Sequence, residues 1–136
     1  MPRLATARDH TALMEMMEDF NSGERLVMRR EVTGPALARL LGEGTLGSVI
    51  VEGDPVVGYA VLTWGFDLEF GGRDAFLTEM YVRPEARRCG LGRALLDEVL
   101  RVARGEGAGA VHLGVYPENK AAVAVLATML IRREHS

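Results

Sequence analysis

The 136-residue sequence predicts an α/β domain, an α+β arrangement with one central mixed sheet and helices on both faces. Three observations lead there. Residues 75–115 read strand, helix, strand, a crossover that makes the two strands parallel. Residues 46–64 read as two strands joined by Gly53-Asp54-Pro55, a hairpin turn that makes them antiparallel. Helical segments both precede the hairpin and fill the crossover, so helices cover both faces of the sheet.

Each element has a local reason. Arg3–Ala5 is a short first strand. Thr6-Ala7-Arg8-Asp9 has capping-box spacing, with Asp9 in place of the usual Glu or Gln. Leu13, Met16, Met17 and Phe20 then form one apolar helical stripe, and Asn21-Ser22-Gly23 is expected to stop it. The methionines read as core packing. Thr33-Gly34-Pro35 is expected to start a second helix, with Leu37, Leu40 and Leu41 inward and Gly42 at its end. Leu46–Glu52 and Val56–Trp64 are the hairpin strands, residues 65–74 a loop, and Ala75–Val82 the next strand. In the following long helix Leu91, Leu95, Leu96, Val99, Val102 and Ala103 share one face. Arg93, Asp97, Arg101 and Arg104 face water, with Asp97 and Arg101 at pairing distance i,i+4. Gly105, Gly107 and Gly109 break this helix, Ala110–Val115 is a strand, and Asn119 caps a final helix to about Met129.

Composition narrows the class. A chain of this length forms one domain, residues 1–136, and buries roughly 68–70% of its unfolded surface, enough for a core without staples. With 48% hydrophobic and 26% charged residues it is an ordinary globular chain. A net charge of −3 leaves no general nucleic-acid footprint. The single cysteine, Cys89, excludes an intrachain disulfide and fits a reducing cytosol. No apolar run spans a membrane and no signal-peptide pattern follows Met1, so a cytoplasmic location is expected.

The chemistry concentrates at Arg87-Arg88-Cys89-Gly90-Leu91-Gly92-Arg93, between a strand end and a helix start. Unpaired helix N–H groups and the helix dipole favour an anion there. Gly90 and Gly92 let a phosphate approach the backbone, and Arg87, Arg88 and Arg93 add positive charge. Neither the mononucleotide P-loop nor the dinucleotide fingerprint matches, because Gly90-Leu91-Gly92-Arg93-Ala94-Leu95 lacks the third glycine. Taken alone, the heptad is either an anion loop or an ordinary basic turn.

The Arg-x-x-Gly-x-Gly pattern resembles the pyrophosphate-binding loop of the GNAT superfamily of acyl-CoA-dependent N-acyltransferases. Met80-Tyr81-Val82-Arg83-Pro84-Glu85 resembles that family's preceding strand end. Val115-Tyr116-Pro117-Glu118-Asn119-Lys120-Ala121-Ala122 resembles its next strand end and helix start. The resemblance implies a GNAT-like fold, with two parallel strands that splay to admit acyl-CoA. It implies acetyl transfer from acetyl-CoA to a primary amine, without a metal. Backbone groups of Met80, Tyr81 and Val82 would hold the pantetheine arm. The loop Arg87, Arg88, Cys89, Gly90, Leu91, Gly92 and Arg93 would hold the pyrophosphate, and Asn119 would meet the pantetheine arm, act as a plain cap, or do both.

Two departures stand out. The position of the family's usual tyrosine acid holds Leu126, and that of a glutamate base found in one branch holds Gly114. Tyr116, or failing it Tyr81, is left as a hydroxyl donor, though each also reads as a packing tyrosine. Glu79, three residues before Val82, stands where other branches carry a catalytic carboxylate. It is either the base or a strand glutamate that faces solvent or pairs with an arginine. His112 is the alternative base. Asp67 and Glu69 are either an acidic wall for a cationic acceptor or solvated loop carboxylates. The resemblance also implies further C-terminal strands that are missing here, so a homodimer that covers the sheet edge is expected. An alternative is an acyl-CoA-binding regulatory or assembly module that has lost catalysis.

Overall fold

The computed structural model describes residues 1–23, 28–69 and 71–113. The described elements are β1 (Arg3–Leu4), α1 (His10–Gly23), α2 (Arg30–Gly42), β2 (Gly47–Glu52), β3 (Gly58–Asp67), β4 (Gly72–Val82), α3 (Leu91–Gly105) and β5 (Val111–Leu113). They form one five-stranded sheet in the order β1-β2-β3-β4-β5. The first three pairings are antiparallel, and β4–β5, joined through α3, is parallel. The mixed α/β sheet expected from the sequence is therefore present.

Two apolar layers fix which helix covers which face. Leu95, Leu96, Val99, Leu100 and Ala103 of α3 pack on Ile50, Ala60, Leu62, Ala75, Leu77 and Val111. On the opposite face, Leu13, Met14, Met16 and Met17 of α1 and Leu37 of α2 pack on Val49, Val51, Tyr59 and Val61. Each fully buried leucine contributes roughly 2 kcal/mol of burial free energy. The methionines of α1 are core residues, as their stripe implies. In the 3-10 turn Ala7–Asp9 that leads into α1, the Thr6 backbone N–H donates to Asp9 Oδ2 at 2.8 Å, the expected capping contact. Asp9 also accepts from both Arg3 guanidinium nitrogens at 2.9 Å, which ties β1 to α1 and holds the Asp9 carboxyl below the usual range.

Several expectations need correction. Helix α1 ends at Gly23, within the expected Asn21-Ser22-Gly23 stop, though these residues are themselves helical. Helix α2 begins at Arg30 rather than at Thr33, with Pro35 inside it. Glu31 in its first turn suits the helix dipole, and Pro35, past the first turn, removes one intrahelical N–H donor. Residues 65–74 are not a loop: β3 runs to Asp67 and β4 starts at Gly72, in register down to Asp67 opposite Gly72. Sheet pairing overrides the glycine signal there. Asp97 pairs with Arg93 at 3.1 Å, and Arg101 pairs with Glu98 at 2.6 Å, so the expected Asp97–Arg101 pair does not form.

Close approach requires glycine at Gly47, where an added Cβ would lie 2.1 Å from the Leu62 carbonyl oxygen of β3. Gly47→Ala is expected to lower unfolding free energy by about 3 kcal/mol, read by urea denaturation. A variant as stable as the parent would show that the β2–β3 spacing is looser than described.

Candidate active site

The site begins with a register fault in β4. Val61 pairs with Glu79 and the next residue, Leu62, pairs with Leu77, so Thr78 is an extra residue on β4. Its hydroxyl donates to the Val61 carbonyl at 3.3 Å. Such a bulge bends and twists its strand. Beyond it the inner edge of β4 stays paired, with Met80 opposite Ala60, Tyr81 opposite Tyr59 and Val82 opposite Gly58. Among the described residues β5 pairs only with Ala75, Phe76 and Leu77. Among the described residues the outer edge of Glu79–Val82 has no strand partner.

The loop after β4 leads directly to α3. A short turn over Pro84–Ala86 is followed by Arg88 at φ 66° and Gly90 at φ 79°, then by α3 from Leu91. Glycine takes the left-handed conformation freely, whereas for an arginine it costs about 1–2 kcal/mol. Strain of this kind gathers at ligand-holding loops. No side chain caps the start of α3. A Cβ added at Gly90 would meet nothing within 4 Å, and at Gly92 only the Met80 methyl at 3.8 Å. The helix N-terminus is therefore open, uncapped and fit for a pyrophosphate.

The arginines divide their work. Arg87 donates from Nε to the Val82 carbonyl at 2.8 Å and lies over the Tyr81 ring at 5.5 Å, so it clamps the loop to the strand end. Arg93 pairs with Asp97. Arg88 has no ion-pair partner among the described residues and is exposed, which leaves its charge available to an anion. Cys89 is exposed beside it.

Glu79 faces the α1 layer, on the same side of the sheet as Tyr59 and Tyr81. Tyr59, completely buried, donates from its hydroxyl to Glu79 Oε1 at 2.5 Å. Burial pushes the Glu79 carboxyl above its ordinary range, and the Tyr59 hydrogen bond pulls partly the other way. Burial and the neighbouring carboxylate push the Tyr59 hydroxyl far up, so it stays a donor. Tyr81 meets Phe20 edge-on at 6.1 Å and Tyr59 at 6.2 Å, walling this side of the carboxylate. Among the described residues Glu79 pairs with no arginine; its partner is Tyr59.

Other candidates lie further along the sheet. Asp67 Oδ1 accepts the Glu69 backbone N–H at 2.7 Å, closing the β3–β4 turn. Asp67 and Glu69 therefore form a turn contact rather than two parallel side chains on an extended segment. His112 donates from Nε2 to Asp74 Oδ2 at 2.9 Å, with the Phe76 ring 4.9 Å away. Asp74 and Phe76 sit toward the start of β4, before the bulge, with His112 of β5 paired opposite Phe76, whereas Glu79 sits after the bulge. Gly114, Tyr116, Asn119 and Leu126 lie outside the described residues. Sequence reasoning misses Tyr59. The signal is its place two residues before Val61 on one strand face, but apolar neighbours make it read as core.

The β4 bulge, the uncapped start of α3 and the desolvated Glu79 carboxylate together form a candidate acyltransferase site. A profile of the acetyltransferase (GNAT) family matches residues 11–129, and the chain belongs to that family. Mouse thialysine N-epsilon-acetyltransferase is 28% identical over 132 residues, covering 89% of this chain and 77% of the mouse protein. The bovine protein of the same name is 33% identical over 72 residues, an alignment covering 53% of this chain and 42% of the bovine protein. Among solved structures, an integron cassette protein from the Cole Harbour Salt Marsh metagenome superposes with a TM-score of 0.79 at 34% identity, covering 84% of this chain and 76% of the other. An acetyltransferase candidate from Arthrobacter sp. FB24 gives 0.79 at 30%, covering 91% and 80%. Among the described residues no helix is long and apolar enough to cross a membrane.

Proposed function

We propose that the protein transfers an acetyl group from acetyl-CoA to a primary amine, with Glu79 as the base. The observation that carries this is the desolvated Glu79 carboxylate immediately after the β4 bulge, on the strand that leads into the open start of α3. Acetyl-CoA supplies an activated thioester carbonyl. Backbone groups of Met80, Tyr81 and Val82 hold the pantetheine arm, and the backbone from Arg88 to Arg93 holds the pyrophosphate with the Arg88 guanidinium. An amine attacks only when neutral, and Glu79 takes up its proton; a carboxyl raised by burial is a better match to that task than an exposed one.

The name of the curated relatives makes lysine-like side-chain amines, thialysine first, the leading acceptors. The test is release of free CoA thiol from acetyl-CoA across a panel of thialysine, lysine, polyamines, aminoglycosides and peptide termini. Turnover on at least one amine supports the reading. Acetyl-CoA binding without turnover on any would assign the chain as an acyl-CoA-binding module instead, a reading favoured by Leu126 at the family's usual acid position.

A further inference from the structure

The fully buried side chain nearest the proposed chemistry is a tyrosine whose hydroxyl has one acceptor. We propose that Tyr59 is a positioning residue for the transfer: its hydroxyl anchors Glu79 Oε1 and leaves Oε2 as the oxygen that meets the acceptor. This inference rests on the reading of Glu79 as the base.

The geometry separates the two carboxylate oxygens. Oε1 accepts from Tyr59 at 2.5 Å. Oε2 has no hydrogen-bond partner among the described residues, yet it is not among the buried unpartnered oxygens, which are Glu52 Oε2 and Asp74 Oδ1. Glu79 as a residue is half-buried. Tyr59 itself cannot drift. It is 0% exposed, packed in the layer formed with α1 and α2, and held in register opposite Tyr81. A rigid donor on a central strand fixes a carboxylate better than a donor on a loop, and leaves one lone-pair face for proton transfer.

The donation also decides when the base is ready. A hydrogen bond to the ionised form favours that form, and here it opposes the desolvation that favours the protonated acid. Among the described residues the ionisable neighbours in this layer are Tyr59 of β3 and Tyr81 of β4 itself, with the Arg87 guanidinium over the Tyr81 ring. From α1 come the apolar Met16, Met17 and Phe20, and the charged Asp19 is engaged with Arg83 at 3.6 Å. From α2 come Leu37, Leu40 and Leu41. Among the described residues Tyr59 thus stands alone as the group that offsets burial of Glu79.

The sign follows. Without the hydroxyl the carboxyl binds its proton more tightly, so the rise of turnover with pH moves to higher pH. The experiment is the pH profile of turnover for the wild type, Tyr59→Phe and Glu79→Gln, with acetyl-CoA affinity measured alongside. Tyr59→Phe is expected to shift the acidic limb upward and to lose on the order of tenfold in turnover at about pH 6, with a much smaller loss on the alkaline plateau and unchanged acetyl-CoA affinity. A fluorinated tyrosine at position 59 keeps the shape and strengthens the donor, so it moves the limb downward, and it serves if the phenylalanine variant folds poorly. A limb that stays in place in both, while Glu79→Gln is inactive, overturns the role of Tyr59 and leaves the base intact. Full activity of Glu79→Gln overturns the reading of the base, and the inference with it.

Discussion

Glu79→Gln is expected to lower turnover by about 100-fold or more while leaving acetyl-CoA affinity within about twofold of the wild type. A glutamine at this position still accepts the Tyr59 hydroxyl but cannot take a proton, so the change isolates proton transfer from packing. The variant carries a second expectation. The Glu79 carboxyl lies above its ordinary value in the folded protein because burial outweighs the Tyr59 hydrogen bond. The native state then keeps a proton over a pH window in which the unfolded chain has released it. Stability from this group is present below the ordinary carboxylate range and is lost as pH rises through the raised value. Glutamine removes that penalty, so at neutral pH the variant is expected to be at least as stable as its parent by thermal unfolding. Lower activity with equal or higher stability marks a group kept for chemistry. Lower activity with a large fall in stability would mark Glu79 as a structural residue.

The second large effect is on the donor side. Gly90→Asp is expected to weaken acetyl-CoA binding by at least about 100-fold in isothermal titration. The added Cβ meets nothing within 4 Å, so the fold has room for it. The left-handed φ of 79° costs an aspartate about 1 kcal/mol, well below the effect sought. What changes is the sign of charge at the start of α3, where one carboxylate would occupy the anion position beside the helix dipole. Gly90→Ala adds similar backbone strain without charge and is expected to lose far less. Equal losses in the two variants would make the effect conformational rather than electrostatic.

The sequence carries the layout well where periodicity is strong. The α3 stripe, the α1 methionines and the strand–helix–strand crossover all fold as read, because each buries a continuous apolar face. The turn and helix start around Gly90 are also readable, since they follow from local chemistry. The errors have a common cause. The glycines at 65, 71 and 72 signal a break, yet partners across the sheet hold β3 and β4 extended to a short turn. Arg93, rather than Arg101, takes Asp97, because either lies one turn away on a helix and sequence does not choose between them.

The site is legible residue by residue but not as an arrangement. Glu79 can be named from its position, but its surroundings cannot. The Thr78 bulge changes the strand's register within one residue, and no alternation pattern announces it. Tyr59 lies 20 positions from Glu79 and meets it only through the β3–β4 register. The basic heptad does not show that the Arg87 Nε donates to the Val82 carbonyl and so joins loop to strand.

The most direct measurement is mass spectrometry of a thialysine-led amine panel after incubation with isotopically labelled acetyl-CoA, wild type beside Glu79→Gln. The expected result is a labelled acetyl group on an amine nitrogen with one free CoA thiol per acetyl transferred, and near-absence of product with the variant. Binding of acetyl-CoA without labelled product, or equal product from both proteins, would contradict amine acetylation with Glu79 as its base.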